Sequence, residues 1–136
     1  MKSKLVRVVL AVIAVLSLLA LSVPAPPARA QGAWYGEYFA NPSLNGGPTF
    51  TRYDNNVRFD WGGGGPGGGI PADNFSVRWT RDEWFEAGTY RFSYRSDDGI
   101  RIWVDGSALV NEWRDRQAAW SSVDQYVSRG THSVRV

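Results

Sequence analysis

The sequence predicts an all-β fold, an antiparallel β-sandwich or barrel-like single domain of the jelly-roll type, and two observations support this prediction. After Gln31, apolar residues recur at every second position in short segments, and no segment follows the 3.6-residue period of a helix. Glycine-marked turns such as Asp105-Gly106 separate these segments, and Asp-Gly between alternating runs is a strong hairpin signal. Eight or nine short strands at this spacing are typical of a sandwich or barrel.

The first thirty residues have the three-part form of a secretory signal peptide. Lysines and an arginine precede an apolar run at residues 8–23, and Ala28-Arg29-Ala30 places small residues at both cleavage-determining positions. The run is shorter than the roughly 20 apolar residues that span a bilayer, which favours cleavage over a membrane anchor. We therefore expect cleavage after Ala30, no membrane span afterwards, and a secreted or cell-surface domain over residues 31–136.

The predicted strands follow from the alternation in chain order. The clearest segments, each with one apolar and one polar face, are residues 57–61, 75–80, 90–95 and 100–104. Weaker strands are expected at residues 34–39, 49–53, 108–113, 123–127 and 132–136. The glycine-rich stretch 62–71 lacks the Lys-Ser/Thr and the following helix of a phosphate-binding loop, so we interpret it as a strand connection.

Charge and composition exclude several classes of function. Residues 31–136 contain eleven arginines, no lysine and thirteen acidic residues, so the net charge of −2 is not that of a nucleic-acid-binding domain. The chain has no cysteine and a single histidine, His132, which excludes a Cys-ligated zinc site and a His-rich metal centre. No nucleophile–base pair is apparent, so we expect no enzyme, although the domain could accompany a glycosidase in a longer product. The arginines are interpreted as solvated strand positions, with a polar recognition face as the alternative.

Three internal segments, read together in order, carry a resemblance to a known family. They are Asp73-Asn74-Phe75-Ser76-Val77-Arg78-Trp79, Ala87-Gly88-Thr89-Tyr90-Arg91-Phe92, and residues 96–106, with residues 34–39 and 130–136 as the outer strands. The set resembles the PA-fourteen (PA14) domain family, the module of bacterial protective antigens, glycosidases and flocculin-type adhesins, over about residues 33–136. The resemblance implies an extracellular β-sandwich that binds carbohydrate or another partner. Because family members normally continue past the strand that begins at His132, we expect this domain to be incomplete at its C-terminus and part of a longer polypeptide.

In the adhesin branch, the resemblance implies that Asp97 and Asp98 hold a calcium ion, which in turn holds sugar hydroxyls. Neighbouring side chains of a strand point to opposite faces, so the two carboxylates converge only at a sharp turn or a cis peptide, and Gly99 permits such a turn. Calcium takes 6–8 oxygen ligands, and no further ligand can be aligned securely. The alternative is that the two aspartates only cap a hairpin by hydrogen bonds to the backbone.

Tryptophans are the second candidate recognition device, because sugar rings stack their C–H faces on aromatic rings. Trp103 falls on the opposite face of its strand from Ile100 and Ile102, and Trp113 and Trp120 flank a polar loop. Packing is the alternative role for all three.

Together these features predict a secreted, lectin-like module whose partner is a glycan or cell-surface polysaccharide and whose cofactor is calcium at Asp97 and Asp98. The ligand-binding residues would be those two aspartates with Trp103, Trp113 and Trp120. The alternative is a structural or protein-interaction domain of an extracellular protein, with no small-molecule ligand.

Overall fold

The computed structural model describes residues 32–136, which form eight β-strands and thereby confirm the all-β, antiparallel prediction. The strands are β1 (Trp34–Phe39), β2 (Phe50–Asp54), β3 (Ser76–Phe85), β4 (Gly88–Ser96), β5 (Ile100–Val104), β6 (Ser107–Glu112), β7 (Ala119–Val127) and β8 (Gly130–Arg135). The predicted signal peptide and the cleavage at Ala30 lie outside the described residues. Within those residues, no helix has the length and apolar character needed to cross a membrane.

The strands form two antiparallel sheets of unequal size. The large sheet has six strands in the order β2-β1-β3-β8-β5-β6, and the small sheet consists of β4 and β7. Strand β8 lies between β3 and β5, and the backbone of Val136 extends the pairing to Trp79 with N···O distances of 2.8 and 2.9 Å. The C-terminal strand is therefore in the interior of the large sheet.

The large sheet has an inner face, which the small sheet covers, and an outer face, which is partly exposed. Residues directly opposite each other in an antiparallel pair share a face, so the Val104–Val134 pair defines the inner face, and both side chains are buried. The small sheet packs against this face, where the ring of Phe85 contacts Tyr90 at 4.8 Å between centroids. The outer face carries alternate residues such as Arg135, which lies opposite Trp103.

The core is centred on Tyr38, Trp79 and Ile70. Residues 57–61, predicted as a strand, are irregular instead. Phe59 and Trp61 stack on Trp79 with centroids 5.4 and 6.4 Å apart, so their alternation reflects packing over the core rather than strand pairing. The glycine-rich stretch 62–71 joins β2 to β3 as expected, with Ile70 inserted into the core.

The two Asp-Gly turns connect strands in different ways. Asp105-Gly106 closes a true hairpin between β5 and β6. Asp98-Gly99, in contrast, leads from the small sheet to the large one, because β4 pairs only with β7 among the described strands. In a sandwich, consecutive strands can belong to opposite sheets, which the local turn chemistry does not reveal.

Candidate functional site on the outer face of the large sheet

The outer face carries a shallow depression that we call the outer-face groove, formed by Arg78, Arg101, Trp103, Trp113 and Arg135. Three neighbouring strands supply most of it. Arg135 of β8 lies opposite Trp103 of β5 on one side and Thr80 of β3 on the other. The strand alternation then directs the side chains of Arg101, Trp103 and Arg135 away from the core, since their sequence neighbours Ile102 and Val134 are buried.

Arginine side chains cover the aromatic rings of the groove. The guanidinium carbon of Arg135 lies 4.3 Å from the centre of the Trp103 ring, and that of Arg101 lies 4.4 Å from the centre of the Trp113 ring. Cation–π contacts of this kind hold a flexible arginine in one orientation. The groove therefore presents oriented guanidinium groups rather than bare indole faces.

The three arginines differ in their charge partners. Arg78 makes a bidentate pair with Glu37, at 2.6 Å from Nε and 2.8 Å from Nη2, and this hydrogen-bonded pair lowers the pKa of the Glu37 carboxyl. Arg101 donates from Nε to the amide oxygen of Asn111 at 3.1 Å. Among residues 32–136, no carboxylate forms an ion pair with Arg101 or Arg135. Their positive charges are therefore available to a ligand.

The groove consists of two adjoining hollows of about 250 and 200 Å³, which share Arg78, Trp103 and Arg135. The larger hollow is otherwise polar, with Glu37 and Ser133 in its lining. The smaller hollow is partly apolar, and its lining includes Leu44, Val77 and Val136. The groove thus offers positive charge along its length and an apolar surface at one end.

The predicted calcium turn lies between β4 and β5, where Gly99 packs against the backbone of Trp113. The Asp97-Asp98 peptide bond is cis, and both side chains are exposed. Oδ1 of Asp98 accepts a hydrogen bond from the backbone N–H of Arg116 at 3.3 Å. Gly99 packs so closely on the following loop that a Cβ there would lie 2.9 Å from the backbone nitrogen of Arg114.

The turn offers a calcium ion two carboxylates, those of Asp97 and Asp98. In the described part of the chain, no three or more His, Cys, Asp or Glu side chains come together in a group that could hold a metal ion. Calcium takes 6–8 oxygens, and two carboxylates supply only part of that set. Asp124 is held instead by Arg91 in a bidentate pair at 2.7 and 2.8 Å on the small sheet. A calcium ion held by Asp97 and Asp98 would therefore need further oxygen ligands, such as backbone carbonyls or water.

The three candidate tryptophans do not form one platform. Trp120 lies on the small sheet opposite Arg95 and is 74% exposed, whereas Trp103 and Trp113 belong to the outer-face groove of the large sheet. Sequence analysis had interpreted Arg101 and Arg135 as solvated positions and did not name them as site residues. Their only sequence signal is the alternation with buried Ile102 and Val134, which cannot show which ring each arginine will cover.

Comparison with known proteins gives the family and its relatives. A family profile described as "PA14 domain" matches residues 29–134. The curated protein "Anti-sigma-I factor RsgI3" of Acetivibrio thermocellus is 40% identical over 96 residues, which are 70% of this chain and 15% of that protein. The chain therefore spans about one seventh of the length of this relative.

Solved structures extend the comparison. An "anti-sigma factor domain-containing protein" is 34% identical with a TM-score of 0.69, over 77% of this chain and 37% of that one. A second, from Clostridium clariflavum, is 25% identical with a TM-score of 0.64, over 75% of this chain and 35% of that one. The PA14 domain of the MpAFP antifreeze protein shares the fold, with 17% identity, a TM-score of 0.64 and coverage of 82% and 76%.

These relatives overturn the predicted function. The expectation of a lectin-like module with a glycan or polysaccharide partner is wrong, because the similar proteins named above are anti-sigma factors. The physical reason is that the predicted recognition tryptophans do not form one surface: Trp120 lies on the small sheet, whereas Trp103 lies on the large one. The same relatives support the expectation of a non-enzymatic domain.

The matched segments also account for the resemblance seen in the sequence. The match over residues 29–134 includes all three internal segments, and the antifreeze-protein domain has the same β-sandwich architecture. The chain belongs to the PA14 domain family.

Proposed function

We propose that this chain is the PA14 module of a regulatory protein of the anti-sigma-factor type, in which it acts without catalysis. The observation that carries the proposal is the 40% identity over 96 residues to an anti-sigma-I factor. A PA14 fold alone would not carry it, because the antifreeze-protein domain has the same fold at 17% identity. The anti-sigma-I factor is therefore distinguished from the antifreeze-protein domain by its higher sequence identity to this chain.

The structure supports a recognition role for such a module. Within residues 32–136, the outer-face groove combines oriented arginines with an apolar end, as a binding surface requires. The rigid six-stranded sheet holds these side chains on three adjacent strands, so the surface is formed before any partner arrives. A regulatory module of this kind would recognise a partner and transmit the result through the rest of its polypeptide.

We place the module outside the cytoplasmic membrane, because the leader of residues 1–30 has the form of an export signal. Such a location suits a regulator that reports conditions outside the cell. N-terminal sequencing of the protein from the cell envelope or medium tests this assignment. A mature N-terminus at Gln31 is expected, and an intact N-terminus in a cytosolic fraction would contradict it.

Calcium at Asp97 and Asp98 stays a prediction that is separate from the regulatory role. Calcium takes 6–8 oxygens, so backbone carbonyls, water or a ligand would have to complete the site beside the two carboxylates. Isothermal titration of the full chain with calcium chloride, beside Asp98→Asn, tests it. Heat release that the substitution abolishes would establish the site, and identical flat titrations would exclude it.

The proposed function is tested in the full-length gene product in its own cell. Residues 31–136 are replaced by an unrelated β-sandwich of similar size, and transcription from the promoters that the cognate sigma factor serves is measured. We expect the replacement to change this transcription while the amount of regulator stays constant. Unchanged transcription under every growth condition that alters it in the parent strain would overturn the proposal.

A further inference from the structure

We infer that the outer-face groove binds an extended acidic segment of a partner protein, whose carboxylates pair with Arg101 and Arg135. The choice of a protein partner rests on the proposed regulatory function, whereas the choice of an acidic ligand rests on the groove itself. The two parts are tested separately below.

The charge of the groove favours an anionic ligand. Arg78 is neutralised by Glu37, but Arg101 and Arg135 have no carboxylate partner within residues 32–136. A guanidinium group offers a planar fork that matches a carboxylate with two parallel hydrogen bonds. Residues 31–136 are acidic overall, with a net charge of −2. Two unpaired cations on one face of an acidic domain therefore mark a local site for anions.

The orientation of the two guanidinium groups also favours binding of a carboxylate. Each of the two arginines lies over an indole ring, at 4.3 Å for Arg135 on Trp103 and 4.4 Å for Arg101 on Trp113. A stacked guanidinium keeps its edge N–H groups free to donate, and less side-chain entropy is lost when a ligand binds. Arg101 and Trp103 are two residues apart on β5 and therefore share the outer face.

The shape of the outer-face groove favours an extended ligand. The two hollows adjoin across Arg78, Trp103 and Arg135, so the groove is longer than a single small anion requires. Alternate side chains of an extended peptide lie about 6.6 Å apart on one face. Acidic residues at alternate positions of such a peptide would therefore all face the groove that contains Arg101 and Arg135. Leu44 and Val136 in the smaller hollow would contact an apolar side chain of the same peptide.

The binding experiment uses the purified full chain and a fluorescein-labelled peptide of alternating Glu and Val, measured by fluorescence anisotropy. We expect saturable binding that weakens as salt rises from about 50 to 300 mM, since exposed charges are increasingly screened. Arg101→Gln and Arg135→Gln should each weaken binding by about tenfold. Arg135→Lys keeps the charge but loses the fork, so an intermediate loss is expected.

Arg95→Gln is the matched control. Arg95 also lies opposite a tryptophan, Trp120, but on the small sheet, and its substitution changes the net charge equally. The control should bind the acidic peptide as the parent chain does. Equal weakening by Arg95→Gln and Arg135→Gln would show a general charge effect and would overturn the groove assignment.

Two further ligands define the specificity. A peptide with Lys in place of Glu should not bind, and saturable binding of it would overturn the acidic assignment. Alginate, an acidic polysaccharide without a peptide backbone, should bind at least tenfold more weakly per carboxylate, and equal affinity would overturn the protein partner. Failure of the acidic peptide to bind at all would also overturn the proposal.

The outcome is distinguishable from that of the proposed function. If replacing the whole domain changes transcription but Arg101→Gln with Arg135→Gln does not, the regulatory role stands and the groove proposal fails. If the peptide binds but domain replacement leaves transcription unchanged, the groove stands as an acidic-peptide site and the regulatory role fails.

Discussion

The hydroxyl of Tyr38 donates a 2.5 Å hydrogen bond to Oδ2 of Asp54, which joins β1 to the end of β2 inside the core. The same oxygen accepts from Nε1 of Trp79 at 2.8 Å, and Oδ1 accepts from Nε of Arg52 at 2.7 Å. Asp54 is buried with 8% exposure, so its carboxylate depends on these three donors. This cluster fixes the relative positions of the first three strands, beside the β8 strand that carries Arg135.

Removing the Asp54 carboxylate should destabilise the fold. Asp54→Ala leaves the buried donors of Tyr38 and Trp79 without an acceptor, and we expect a loss of about 3 kcal/mol in the free energy of unfolding. Urea denaturation followed by tryptophan fluorescence measures it. The control is Asp124→Ala, which removes an exposed pair with Arg91 and should leave the midpoint nearly unchanged. Equal effects would contradict the structural role of the cluster.

Tyr38 should resist ionisation in the folded protein. Burial, with added contributions from the hydrogen bond and charge of Asp54, raises the pKa of Tyr38 from its ordinary value of 10.0 to about 12. Between these values the folded chain keeps a proton that the unfolded chain releases, so stability falls as the pH rises through this window. Absorbance at the phenolate band should show fewer tyrosines ionising near pH 10 than in denaturant. Tyr38→Phe should reduce this difference and leave only the part due to Tyr94, whose pKa is also raised by burial and by its hydrogen bond to Glu112.

Gly36 has no room for a side chain. A Cβ at this position would lie 2.8 Å from Oδ2 of Asp54, 2.9 Å from the Tyr38 ring and 3.1 Å from Nε1 of Trp79. We expect Gly36→Ala to destabilise the fold by about 2 kcal/mol, because the cluster must move to accept the methyl group. Gly47→Ala is the control, since a Cβ there meets nothing within 4 Å. Thermal melts that show equal midpoints for the two variants would contradict this close packing.

His132 and Asp105 should make stability depend on pH. Nδ1 of His132 lies 2.5 Å from Oδ2 of Asp105, and this hydrogen bond raises the pKa of His132 from 6.5 and lowers that of Asp105 from 3.8. The histidine contribution is complete below pH 6.5 and is lost as the pH rises through the higher folded pKa; the aspartate contribution is present above pH 3.8 and is lost as the pH falls through the lower folded pKa.

Asp105→Asn tests this pair directly, because asparagine tolerates the positive φ of 49° at this position. Melting temperatures of the parent chain should fall from pH 6 to pH 9 more than those of the variant. Parallel curves for the two proteins across that range would show that the pair does not contribute. The Ser133 N–H that Asp105 also binds stays paired to the asparagine oxygen, so the comparison isolates the histidine.

Sequence alternation determined much of the fold. It placed β1 and β5 at their observed bounds and indicated the solvent side of Trp103, because a strand with one buried face must alternate. It failed at residues 57–61, where Val57, Phe59 and Trp61 alternate only because an irregular segment packs its apolar side chains on Trp79. A two-residue periodicity shows that one side of a segment is buried, but it does not distinguish a strand paired in a sheet from an irregular segment packed on the core.

The site was much less accessible from sequence. Asp97-Asp98 and the three tryptophans were visible as residue types, but whether they meet depends on strand order, and consecutive strands here change sheets. The Asp54 cluster was invisible for the same reason, since Tyr38, Asp54 and Trp79 are distant in sequence and give no local pattern.

By itself, the sequence determined the all-β class, the PA14 resemblance and the acidic, arginine-only character of residues 31–136, because these depend on local periodicity and composition. Only the tertiary structure decided that Arg135 covers Trp103, that Asp124 pairs with Arg91, and that Trp120 lies on the small sheet while Trp103 lies on the large one. The physical reason is register: cross-strand neighbours are set by how eight strands pair and by which sheet each one joins, and no single strand encodes that choice.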